Sequence, residues 1–171
     1  MKQPPSMREK TRRIALSGLL VALMLVLGYI ESLIPVMPGV PGVKLGLSNG
    51  VLIFAIYMLD IPTAFALMVV KVALSGLMFS GVSAMIYAFA GGLVSMIVMA
   101  ALSKIKGVHP ITVSMMGGVF HNVGQVAAAM VMLQTSSLMY YMAVLMAVGL
   151  ATGAATGVAA NLVIKHLKRT W

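Results

Sequence analysis

Residues 14–34 read IALSGLLVALMLVLGYIESLI, and the fold follows from that stretch. From Ile14 to Ile30 it holds no charged side chain. A run of about 20 apolar residues is the length a helix needs to cross the hydrocarbon core of a bilayer. Lipid offers backbone N–H and C=O groups no water, so a spanning segment is a helix or part of a closed barrel. Barrel strands alternate apolar and polar side chains. This stretch does not alternate, so it reads as a helix. A signal-peptide core is about 7–15 residues long. This block is longer, no small-residue cleavage site follows it, and it reads as a retained first span.

The rest of the 171-residue chain repeats the pattern. Hydrophobic residues make up 61% and charged residues 9%, where a soluble domain carries roughly 25% charged. A soluble fold this apolar would have too little polar surface for water. Pro35, Pro38 and Pro41 exclude regular helix over 35–42. A second span is predicted over 45–59. It is short for a full crossing, so the 35–44 loop is expected to dip partly into the protein. Asp60-Ile-Pro62 marks a turn, with Pro62 suited to the first position of a helix. The third span covers 62–80 and Ser80-Gly81 breaks it. The fourth covers 82–103, and Lys104–His109 is a polar loop. Pro110 opens the fifth, 110–133, and Gln134–Ser137 turns into the sixth, 138–164. The organisation is a basic N-terminus (1–13), one six-helix transmembrane domain (14–164) and a basic tail (165–171).

The charges give the orientation. Basic residues concentrate in cytoplasmic segments. With the N-terminus inside, Lys2, Arg8, Lys10, Arg12, Arg13, Lys104, Lys106, Lys165, Lys168 and Arg169 all lie inside, which is ten of the twelve Lys and Arg. The formal net charge of +9 is therefore a topology signal, basic flanks on anionic lipid, and not a nucleic-acid site. Tyr29, Tyr57, Tyr87, Tyr140 and Tyr141 fall near span ends, where aromatic belts sit.

Ionisable groups inside spans are costly and are functional candidates. Lys71 lies roughly 14 Å into the third span and His121 roughly 16 Å into the fifth, at 1.5 Å per residue. Both reach the midplane and could line one cavity. Lys71 reads as a ligand contact or as the partner of Glu31. His121, Asn122 and Gln125 share one side of the fifth helix, beside Gly117, Gly118 and Gly124. They read as ligand contacts or as hydrogen bonds between helices. Glu31, Lys44, Ser48 and Asn49 gather at the outer end of spans one and two. Lys44 and Asn49 flank a helix start whose free N–H groups favour an anion. The alternative there is that Lys44 faces outer water and Glu31 caps the loop. Gly149, Gly153 and Gly157 at four-residue spacing predict close packing of the sixth helix.

Several chemistries lack their residues. Cysteine is absent. There is no G-x-x-x-x-G-K-[ST] loop and no H-E-x-x-H. Asp60 and Glu31 are predicted on opposite sides of the bilayer and cannot share a metal. No cofactor, no metal and no catalysis are expected.

Tyr29-Ile-Glu-Ser-Leu-Ile-Pro35 with Pro41-Gly-Val-Lys-Leu-Gly-Leu-Ser-Asn49, and Gly117-Gly-Val-Phe-His-Asn-Val-Gly-Gln125, resemble the bacterial Gx transporter family, also labelled heptaprenyl diphosphate synthase component I. That family is similar to the S components of energy-coupling factor (ECF) transporters. The resemblance implies an S-component-like bundle in the bacterial inner membrane that captures a small solute from outside. It implies partners, an ECF T component and two ATPase subunits. It also implies that Ala15, Gly18 and Ala22 match the small-residue motif that meets the T component, with glycine where alanine is commoner. The solute is expected to be small and anionic or amphipathic, contacted by Glu31, Lys44, Asn49, Lys71, His121, Asn122 and Gln125. The family's second label implies an alternative, a non-catalytic membrane accessory subunit in isoprenoid or quinone metabolism.

Overall fold

A computed structural model describes residues 6–34 and 44–170. The readings for 1–5, the proline-rich 35–43 and Trp171 lie outside the described residues. Those described form six α-helices and no strand: α1 Met7–Ser32, α2 Asn49–Met58, α3 Ile61–Ser75, α4 Gly81–Ser103, α5 Pro110–Met132 and α6 Met139–Thr170. A π-helical turn, Gly76–Ser80, joins α3 to α4. Three stretches are long and apolar enough to cross a membrane: Met7–Ser32, the run Ile61–Ser103, and Met139–Leu167. Helix extends into both predicted basic flanks. α1 already begins at Met7, and α6 continues through the predicted tail to Thr170.

Local chemistry sets the helix ends. The Ser6 hydroxyl accepts from Glu9 N–H and Ser6 N–H donates to the Glu9 carboxylate, a reciprocal cap for α1. Asp60 caps α3 by accepting from Thr63 N–H at 2.8 Å, and Pro62 follows in the first turn. Gly81 ends the π-helical turn with φ +80°, a conformation open to glycine. It supplies the predicted break between spans three and four. Pro110 opens α5 as expected.

α1 buries one stripe, Leu20, Met24, Gly28 and Glu31, at helical spacing. α2 is different, because every residue from Asn49 to Ile56 is buried. A helix apolar all round belongs in the centre of a bundle. Around α2 gather Met24, Met68, Val72, Met96 and Ile164 from four other helices. Tyr87 departs from the belt expectation. It is 3% exposed and packs with Val126, Ala129, Leu138 and Leu145.

Helix association in lipid relies on van der Waals packing, because lipid tails are as apolar as the side chains. Glycine allows that packing here. A β-carbon on Gly118 would collide with the carbonyl oxygen of Gly149, and one on Gly153 would lie 2.7 Å from Met115 Cα. A β-carbon on Gly157 would lie 2.7 Å from Ser114 Cβ. α5 and α6 are therefore antiparallel with their backbones in contact, and the predicted Gly149/Gly153/Gly157 seam faces α5. On the other side of α5, Gly124 meets Ala90 and Gly91 of α4, and Ser95 Oγ donates to Gly117 O at 2.8 Å.

Arg13 Nη1 and Asp60 Oδ2 lie 3.1 Å apart, which places the start of α1 and the start of α3 at one end of the bundle. The pair is 56% and 38% exposed, so it contributes about 0–1 kcal/mol. The Thr63 hydroxyl and N–H, ahead of Arg13, hold the Asp60 carboxyl below the usual aspartate range. A depressed carboxylate stabilises above its unfolded value, and that stabilisation disappears as pH falls through the folded value. Loosening of the first turn of α3 is expected below about pH 3.9, the ordinary aspartate value. Amide exchange at Thr63 reads it. Asp60→Asn should remove the acid step, and Arg13→Ala should barely move it.

Candidate functional site

The polar residues singled out in the sequence meet at the start of α2. Residues 44–48 lead into that helix without regular structure, yet Lys44, Gly46 and Ser48 are buried. Buried irregular backbone needs partners for its N–H and C=O groups. Here side chains from three other helices supply them. Gln125 of α5 accepts from Lys44 N–H at 3.1 Å and donates to Lys44 C=O at 2.6 Å. Thr152 of α6 donates to Leu45 C=O at 3.3 Å. Glu31 of α1 accepts from Leu47 N–H at 2.7 Å. Gly46, with φ +82°, makes the bend and accepts from Asn49 N–H at 2.9 Å.

Glu31 therefore puts its own carboxylate at the N-terminus of α2, where negative charge is favoured. Ser48 makes no side-chain cap there, so Glu31 does that work from another helix. The sequence pointed to this helix start as an anion position. In the structure the Glu31 carboxylate, from within the chain, stands at that position and accepts from Leu47 N–H. Lys44 does not face outer water, since it is 4% exposed. Its Nζ donates to Ser80 Oγ at 2.6 Å and lies 5.3 Å from the centre of the Phe79 ring, within cation–π range. Tyr29 meets Phe79 edge-on, with 5.5 Å between ring centres.

Gln125 and Asn122 form one connected network. Gln125 Nε2 donates to Asn122 Oδ1 at 2.6 Å, and Asn122 Nδ2 donates to Leu145 C=O of α6 at 2.5 Å. Both side chains have no exposure. Of the two sequence readings for this pair, the geometry is that of bonds between elements.

Lys71 and His121 do line a common cavity, with Asn49, Ser48, Met24 and Met68 among their neighbours. Its volume is about 10 Å³, room for about one water. Lys71 is 5% exposed and His121 4%. A β-carbon on Gly28 would lie 3.8 Å from Lys71 Nζ, which places that amine against α1. His121 packs its ring between Gly46 and Gly91. Among the described residues, Glu31 Oε2, Asn49 Nδ2 and His121 Nδ1 are buried without a hydrogen-bond partner. No set of three or more His, Cys, Asp or Glu could hold a metal among the described residues.

Sequence reasoning missed Thr152, Ser80 and Phe79. Serine, threonine and phenylalanine are ordinary inside apolar helices, and nothing in their spacing sets these three apart. Ala15, Gly18 and Ala22 all face outward, and a β-carbon on Gly18 would meet nothing within 4 Å. This stripe borders an apolar groove of about 470 Å³ between α1, α2 and α6, lined by Leu16, Leu23, Phe54, Thr156 and Val163 among others.

A family profile described as heptaprenyl diphosphate synthase component I matches residues 20–163. No curated protein and no solved structure matches the chain.

Proposed function

The chain belongs to the heptaprenyl diphosphate synthase component I family, and from that premise we propose that it is a membrane-embedded binding and transport subunit for a small anionic or amphipathic solute. The observation that carries this reading is the buried cavity shared by Lys71, His121 and Asn49, beside irregular backbone at the start of α2. Transporters place their binding sites at such broken helices near mid-bilayer. A structural scaffold has no need of a buried lysine without a contacting carboxylate. In this reading six spans cross the bacterial inner membrane with both termini inside. The Arg13–Asp60 pair at one end and Glu31 with Leu47 at the other suit that topology. The protein performs no catalysis, and energy comes from partner subunits, an ECF T component and two ATPases.

Docking to the T component falls on the outward stripe Ala15, Gly18 and Ala22. Close helix contact in lipid requires small side chains. Gly18→Leu is expected to cut recovery of T component and ATPases from native membranes about tenfold or more, while thermal stability of the isolated chain stays put. Gly18→Ala should keep both. Recovery of the wild-type chain alone, with no T component and no ATPase, sinks this reading.

The apolar groove favours the second reading, an accessory subunit in heptaprenyl diphosphate or quinone metabolism. A prenyl chain suits its lining. That reading expects co-purification with a soluble prenyltransferase and a fall in prenyl product on deletion. Unchanged product levels remove it.

A further inference from the structure

The charges in the bundle do not balance. The whole sequence has three acidic residues. Glu9 caps the start of α1 and Asp60 caps the start of α3, where it pairs with Arg13. Only Glu31 remains for two buried lysines, Lys44 and Lys71. An uncompensated buried charge is strongly unfavourable, so a buried lysine with no contacting carboxylate marks a place for an anionic partner.

The two lysines are not equivalent. Lys44 is committed through its amine to Ser80 and Phe79 and through its backbone to Gln125. Among the described residues Lys71 makes no such contact, and no carboxylate oxygen lies within the 4.0 Å of an ion pair from its Nζ. Lys71 lines the small cavity, and Glu31 does not. The cavity wall also carries Asn49, 2% exposed, and His121, and among the described residues Asn49 Nδ2 has no acceptor and His121 Nδ1 no partner. The lining thus offers a cation and an unused amide donor, and no carboxylate.

We propose that this cavity is the seat of one compact monoanionic group, held by Lys71 and Asn49 with His121 at its side. The group is an anionic end of the transported solute or a free inorganic anion. A halide fills such a cavity as one atom, and a carboxylate end can place one of its two oxygens there. A cation or a neutral alcohol leaves the Lys71 charge unanswered and is not accommodated. The proposal deepens the solute-binding reading and rests on it.

The test uses the full chain in lipid nanodiscs. Its thermal midpoint is followed by circular dichroism at constant ionic strength, with sodium gluconate replaced stepwise by chloride, formate or acetate. The midpoint is expected to rise with anion concentration in the wild type, as for any ligand that binds only the folded state. Lys71→Met should abolish the dependence, and Lys44→Met should keep it. Lys71→Met removes an unbalanced buried charge and is expected to fold. Should it not, Asn49→Ala serves instead, with affinity down about tenfold for one lost hydrogen bond to a charged group. A rise with chloride alone assigns the seat to a free halide. A rise with formate or acetate assigns it to a carboxylate end. A wild-type midpoint indifferent to all three anions, or a dependence that survives Lys71→Met, overturns the proposal. Partner recovery from membranes does not read this seat, so the two ideas fail separately.

Discussion

Gly118→Ala is expected to lower the thermal midpoint and the yield of folded protein in a mild detergent extract. The added β-carbon falls on the carbonyl oxygen of Gly149, and the carbonyl carbon behind it is 3.0 Å away. Both obstacles are backbone, so no side chain can swing aside. α5 and α6 must separate, and the separation spreads along the seam. It strains the Asn122–Leu145 bond and the Gly153 contact with Met115. Overpacking costs about 1–3 kcal/mol, occasionally more, and a backbone collision at a helix crossing belongs at the upper end. Gly149→Ala should behave alike, with its β-carbon 2.7 Å from Gly118 O and from Asn122 Nδ2. Gly18→Ala is the control, since open space surrounds it. Its stability should stay within about 0.5 kcal/mol of wild type. Size-exclusion profiles and thermal midpoints of the three variants read the comparison. Normal midpoints for both seam variants would show that the helices do not meet as described.

Gln125→Leu is the second large effect. Leucine has nearly the right shape but leaves Lys44 N–H, Lys44 C=O and Asn122 Oδ1 without partners. Each buried unpaired group costs about 1–3 kcal/mol. These groups form one network, so the losses are coupled and do not simply add. A fall of several kcal/mol is expected, with the Lys44 amide losing its protection from hydrogen exchange. Gln125→Glu keeps an acceptor for Lys44 N–H but aims a carboxylate at two oxygens. It should be no milder. A protected Lys44 amide in Gln125→Leu contradicts the assignment.

Much of this architecture was legible in the sequence because lipid makes the rules strict. Apolar length, proline and glycine marked the helix ends, and Pro62, Gly81 and Pro110 stand where those rules put them. The meeting of Lys71 and His121 at one cavity agrees with counting 1.5 Å per residue along two helices. What each polar residue does was harder to read. Asn122 and Gln125 carry the same side-chain chemistry whether they hold a solute or a backbone. Only the position of residues 44–48 decides between those uses. Glu31 shows the same difficulty, because its partner Leu47 contributes a main-chain N–H, which no sequence pattern reveals. Tyr87 departs from the belt because closeness to a helix end does not say which way a side chain faces, and the fold turns that face of α4 toward α5 and α6.

The irregular lead-in to α2 has a consequence for how the chain is made. Ten helical residues cover about 15 Å, half of the roughly 30 Å core. The segment before them is acceptable in the bilayer only once its N–H and C=O groups are answered. Gln125 lies 81 residues after Lys44, and Thr152 lies 107 residues after Leu45. At a synthesis rate of about 5–20 residues per second, those partners emerge roughly 4–20 s later. In that interval the ribosome has delivered a segment that lipid alone cannot accept. Its backbone groups stay without these partners until α5 and α6 arrive. The lead-in to α2 is thus among the last parts of the protein to complete its hydrogen bonds, although it is among the first to be translated.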